Sequence, residues 1–200
     1  GALYFARDIL IPLALAVMLA QLGDVSAIEI HPSPAEIAAA LERGKSAAQS
    51  RIPPHRLYAW FGPSGDLEPK GFLMTKMAGL RVMSAHFALR GQTPSEEEIR
   101  QVLDDRSLLV SVTIFGHRPD FAIDSYIVLI QGERIIKPVK VRFDGRAART
   151  SVWPRPPAYQ AKVVASFPYE ELDPRAKTHL SVFPAGGGEV GFDLDFSQIE

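Results

Sequence analysis

The sequence predicts a mainly β chain: antiparallel strands in two packed sheets, one N-terminal helix and one short helix inserted between strands. Three observations carry that expectation. From Leu108 onward, apolar residues recur at every second position in several short runs. Gly, Pro and Asp bound those runs at turn-like spacing. Helix-start signals stand at Ser33 and Thr93. Period-two alternation puts one side of a strand in a core and the other in water, and many short strands with turns between them favour a sandwich.

The chain opens on an apolar stretch, Ile9 to Leu22, with Arg7 just before it and Val25-Ser26-Ala27 after Gly23-Asp24. A charged start, an apolar middle and small residues at a cleavage point are the order of a secretory signal. The competing readings are an uncleaved anchor and a buried core helix. A spanning helix needs about 20 apolar residues, more than this run supplies. The expected organisation is a signal peptide over 1–27, a helix and irregular segment over 28–71, and the sandwich domain over 72–200.

Ser33-Pro34-Ala35-Glu36 reads as a capping box with proline at the first helical position, and the helix fades near Ser50. Residues 52–71 are rich in Pro and Gly and read as irregular around Tyr58, Trp60 and Phe61. Phe72–Met77 and Leu80–Leu89 are apolar runs separated by Ala78-Gly79, expected as two strands with a turn or bulge. Thr93, Pro94 and Glu96 repeat the capping design and open a short helix that ends near Asp105.

The remainder reads as strands at 108–114, 123–130, 134–143, 161–167, 179–183 and 189–196. Pro138 cannot donate to a ladder, so its strand is expected at an edge or with a bulge. In the last strand Val190, Phe192, Leu194 and Phe196 face in, while Glu189, Gly191, Asp193 and Asp195 face out. Gly186-Gly187-Gly188 is the expected hairpin loop leading into it. Over roughly 72–196 this pattern resembles an immunoglobulin-like sandwich. The resemblance is one of strand pattern, without the Cys…Trp…Cys hallmark, and a fold of this kind implies no particular function.

Composition narrows the function classes. The 200 residues include no cysteine, which removes disulfides, thiol nucleophiles and cysteine-bound metals. With 22 basic and 23 acidic residues and no basic run, nucleic acid is not an expected partner, nor is a membrane surface after signal cleavage. HExxH, GxSxG and phosphate-loop motifs are absent, and no cofactor is expected.

Two kinds of candidate site remain. His117, Asp120 and Asp124 in one inter-strand loop offer an imidazole and two carboxylates to a divalent cation; a solvated turn is the competing reading. Two aromatic–proline stretches, Tyr58 to Pro63 and Trp153 to Tyr159, offer Tyr58, Trp60, Trp153 and Tyr159 as binding residues. Exposed aromatics stack on sugar rings or pack on a protein partner, whereas buried ones close the ends of a core. The Pro-rich strip at 154–157 is expected to be extended and stiff. The leading expectation is an exported, non-enzymatic binding or interaction module, periplasmic or extracellular, with a protein or glycan partner in the envelope. The alternatives are an envelope hydrolase, using dispersed carboxylates or His117, and a structural subunit held by the N-terminal segment.

Overall fold

The computed structural model describes residues 27–199. The expected signal segment therefore lies outside the described residues, apart from Ala27. Among the described residues no helix is long and apolar enough to cross a membrane. The described residues are mainly β, with two antiparallel sheets and three α-helices.

Helix α1, Pro34–Gln49, starts as expected. The Ser33 hydroxyl accepts from the Glu36 amide at 3.3 Å, and the Glu36 carboxylate accepts from the Ser33 amide at 2.7 Å. A single 3-10 turn, Pro54–Leu57, follows, and then strand β1, Ala59–Phe61, inside the segment expected to be irregular. Strand β2, Lys70–Met74, pairs with β1.

The strand expected at Leu80–Leu89 is instead helix α2, Lys76–Leu89. Thr75 caps it by accepting from the Ala78 amide at 3.1 Å. Its buried residues, Met77, Ala78, Leu80, Val82, Ser84 and Ala85, follow helical spacing. A continuous apolar run does not distinguish a buried strand from a buried helix, and three alanines with a good cap decide for the helix. Helix α3, Glu96–Leu103, is capped by Ser95 and Glu98 rather than by Thr93 and Glu96: the same capping box, two residues later.

Ten strands make up the sheets: β1 and β2, then β3 (Ser107–Gly116), β4 (Tyr126–Gln131), β5 (Arg134–Ile136), β6 (Lys140–Phe143), β7 (Ala148–Arg149), β8 (Tyr159–Pro168), β9 (Lys177–Phe183) and β10 (Val190–Asp195). The first sheet has the order β1-β2-β3-β8-β6, with β7 also on β8; the second is β10-β9-β4-β5. The single strand expected over 134–143 is two edge strands in different sheets, with Pro138 between them. Proline removes a ladder donor, and the chain changes sheets there. The apolar run from Ile123 enters its strand only at Tyr126, because Ser125 Oγ donates to the Ala122 carbonyl in a tight turn.

One hydrophobic core lies between the sheets. Leu108, Val110, Val112, Ile114, Val163 and Phe167 come from the first sheet, and Ile127, Leu129, Leu180, Val182, Phe192 and Leu194 from the second. Ile28, just beyond the expected cleavage point, is 2 % exposed within this core. Its amide donates to the Pro174 carbonyl at 3.2 Å. The helices share a separate cluster around Ala40, Met77 and Leu80. Lys76 Nζ donates to the Leu103 carbonyl at 2.5 Å and ties the start of α2 to the end of α3.

Candidate functional site

Register brings three loops to one end of the double sheet. Gly116 at the end of β3 faces Tyr159 at the start of β8, and Tyr126 at the start of β4 faces Phe183 at the end of β9. Loops 117–125, 150–158 and 184–189 therefore emerge side by side. The Ala147 amide donates to the Pro119 carbonyl at 2.7 Å and joins the first of these loops to the segment leading into the second. Between the first and third lies an open hollow of about 460 Å³, lined by Phe115, Gly116, His117, Arg118, Asp120, Phe121 and Pro184–Gly187.

His117 and Asp120 border this hollow, but Asp120 is already engaged. Arg118 grips it through two hydrogen bonds, Nη2 to Oδ2 at 2.7 Å and Nε to Oδ1 at 3.0 Å. That contact holds the Asp120 carboxyl below its ordinary range. Asp124 takes a backbone φ of 57° in the turn before β4 and does not line the hollow. Among the described residues no three His, Asp or Glu side chains are grouped to hold a metal ion.

The Trp153 strip is folded, not extended. Thr150 Oγ1 donates to the Pro157 carbonyl at 2.6 Å, and the Thr150 amide donates to the Ala158 carbonyl at 3.0 Å. These bonds draw the strip's ends together, and the Arg155 amide closes a tight turn on the Val152 carbonyl at 2.9 Å. At its tip Trp153 is 43 % exposed, with the Arg149 guanidinium carbon 4.0 Å from its ring centroid. Guanidinium stacking of this kind fixes the indole's orientation without covering it from both sides. Tyr159 packs partly buried against the core, so Trp153 is the more exposed of the pair.

Tyr58 and Trp60 lie elsewhere. Trp60 faces Phe72 across β1 and β2, and Phe72 faces Ser111 on β3, five residues down that strand from Gly116 and thus about 17 Å from the loop end. Tyr58 stacks on Phe72 at 4.3 Å, and Trp60 meets Phe72 edge-on at 5.3 Å. Trp60 Nε1 donates to the His55 carbonyl at 2.8 Å, leaving the indole 48 % exposed.

A larger hollow of about 630 Å³ at the opposite end is lined in part by Lys76, Asp105 and Tyr169. Its polar groups serve the fold: Lys76 caps α3 and sits 5.5 Å over the Tyr169 ring, and burial pushes the Tyr169 phenol above its ordinary range.

One cluster escaped the sequence reading. His179 on β9 faces Asp193 on β10, and Nδ1 lies 2.7 Å from Asp193 Oδ1. Its Nε2 is 3.5 Å from Glu189, whose carboxylate accepts from Ser181 Oγ at 2.5 Å. The imidazole lies over Gly191, where a Cβ would come within 2.9 Å of Nε2. The serine bonds to the glutamate rather than the imidazole, so the group lacks the contact of a nucleophile and its base. It clamps the β9–β10 hairpin behind the third loop. The signal was the outward alternation of Asp193 together with a hairpin register that only the structure supplies.

The Asp193 hydrogen bond, opposed by partial burial and aided by Glu189, raises the His179 pKa from its ordinary 6.5. A raised folded-state pKa stabilises the fold below the unfolded value, and that contribution is lost as pH rises through the folded value. The side chain is 39 % exposed, so solvent limits the effect to ~0.2–1 kcal/mol. The melting temperature is expected to fall slightly as pH rises above 6.5, and Asp193→Asn to flatten that slope. An unchanged slope in the variant would remove the clamp from the account.

No protein-family model matches this chain, and comparison with curated proteins finds no relative.

Proposed function

We propose that this protein is an exported binding module, periplasmic or extracellular, that recognises a protein or glycan partner of the envelope through the loop end of its double sheet. The exposed Trp153, oriented by Arg149 on a loop that Thr150 holds closed, carries the reading. A rigidly presented aromatic loses little freedom on binding, so more of its contact area contributes to affinity. Export is supported by the apolar run from Ile9 to Leu22 followed by Val25-Ser26-Ala27.

The sandwich is read as immunoglobulin-like. The orders β2-β3-β8-β6 and β10-β9-β4-β5 correspond to A-B-E-D and G-F-C-C′ of that frame, with α2 and α3 inserted between the first two strands. In that frame loops 117–125 and 184–189 are the B–C and F–G loops, which variable domains use for recognition.

The test is Trp153→Ala. Partner capture is expected to fall about tenfold or more, as for a central aromatic anchor. Stability is expected to fall by well under the ~3–5 kcal/mol of a deleted core aromatic. If the variant unfolds instead, Trp153 is a plug in the core and the loop end loses its anchor.

A further inference from the structure

We propose that the outer face of the first sheet is a second, separate binding site, and that it takes an acidic polysaccharide lying across the strands. Pairing register aligns Trp60, Phe72, Ser111, Val164 and Arg142 in one cross-strand row over β1, β2, β3, β8 and β6. Alternation sends all five side chains outward, since Leu73, Val110 and Val163 beside them face the core. Four strand intervals make this row about 19 Å long. It begins on an exposed indole, passes over Phe72 and two small side chains, and ends on an exposed guanidinium. The middle is thus a shallow trough between a stacking ring and a cation.

The neighbouring rows add charge of one sign. Lys162 stands outward opposite Thr113 and Lys70, and Lys140 stands outward opposite Ser166. The outward positions of these strands carry four cations, Lys70, Lys140, Arg142 and Lys162, and no carboxylate. The chain as a whole is balanced at 22 basic and 23 acidic residues, so this is segregation and not composition. At the rim Asp66 lies 3.9 Å from Lys70, and Asp144 accepts the Lys162 amide at 2.9 Å. Lys140, Arg142 and Lys162 are all exposed. The helices pack mainly on one another and meet this sheet chiefly at β2, from which α2 departs.

The chemistry selects the ligand class. An exposed indole edge-on to Phe72 offers a face on which a sugar ring stacks, and cations spaced on either side of the trough match carboxylates repeated along a chain. Single-stranded nucleic acid is held by a continuous basic groove with several stacked bases. This face offers one freely exposed ring, too few for a run of stacked bases.

Isothermal titration of the full chain with an oligogalacturonate, a neutral oligosaccharide of equal length and an oligothymidylate tests the assignment. The oligogalacturonate is expected to bind, and to weaken as salt rises. Arg142→Gln and Lys162→Gln are each expected to weaken it about tenfold, the loss of one charge-assisted contact, at unchanged melting temperature. Trp60→Ala is expected to lose binding and Trp60→Tyr to retain most of it, which separates a lost stacking face from a damaged edge strand. No binding of oligogalacturonate, equal binding of the neutral chain, preferential binding of oligothymidylate, or indifference to both charge substitutions overturns the proposal. Trp153→Ala is expected to leave this binding intact, so failure here and failure at the loop end are read separately.

Discussion

Phe167→Ala is expected to destabilise the protein by ~3–5 kcal/mol, the usual cost of deleting a buried aromatic and leaving a cavity. Phe167 has no solvent exposure, stands opposite Leu108, and fills the space between the sheets. The loss is a large share of the ~5–15 kcal/mol that holds an ordinary domain together. For a chain of this size the melting temperature falls on the order of 10 °C, read by calorimetry or circular dichroism. A fall of one or two degrees would mean that the two sheets do not share the core described for them.

Gly44→Val is expected to pry α1 from α2. A Cβ at Gly44 would stand 2.1 Å from the Arg81 carbonyl oxygen and 2.8 Å from Ser84 Cβ, and the first of these is backbone that cannot turn aside. Glycine inside a helix normally costs about 1 kcal/mol relative to alanine, so propensity alone favours replacing it. Close approach wins here, because the helices must separate to admit any side chain. Separation breaks the 2.6 Å hydrogen bond from Ser84 Oγ to the Leu41 carbonyl and opens the cluster around Ala40, Met77 and Leu80. Overpacking of this kind costs ~1–3 kcal/mol before those losses. Hydrogen exchange is expected to lose protection over 34–49 while amides of β3 and β8 keep theirs. Loss of protection in the strands as well would show that helices and sheets unfold as one unit.

Alternation made the second half of the chain legible. Val190, Phe192, Leu194 and Phe196 point where the sequence put them, and the triple glycine does join β9 to β10. The capping box at Ser33 marked α1 to the residue. Leu80–Leu89 misled because a nearly continuous apolar run shows no clear period to separate helix from strand. Thr93 misled because Ser95 and Glu98 carry the same spacing two residues on, and Pro94 favoured the earlier start. Pro138 marked a break but not its kind, since a change of sheet is a tertiary event.

The sites follow the same division. Trp153 and Trp60 were legible as aromatics in Pro-rich stretches, but neither their exposure nor their surroundings were. Arg149 reaches Trp153 because Thr150 closes the loop, and Arg142 aligns with Trp60 only through four successive pairings. The His179–Asp193 pair depends on one hairpin register, which a shift of a single residue would abolish. Side-chain type was readable from the sequence, and juxtaposition across strands required the register.

A photo-crosslinking amino acid at position 155, exposed beside an intact Trp153, and a second at Leu89, which is 57 % exposed at the end of α2, report directly whether the loop end meets a partner. In the cells that produce the protein, a discrete adduct is expected from position 155 that disappears with Trp153→Ala, and no matching adduct from position 89. The same adduct from both positions, or none from position 155 in the folded protein, would show that the loop end is not the recognition surface.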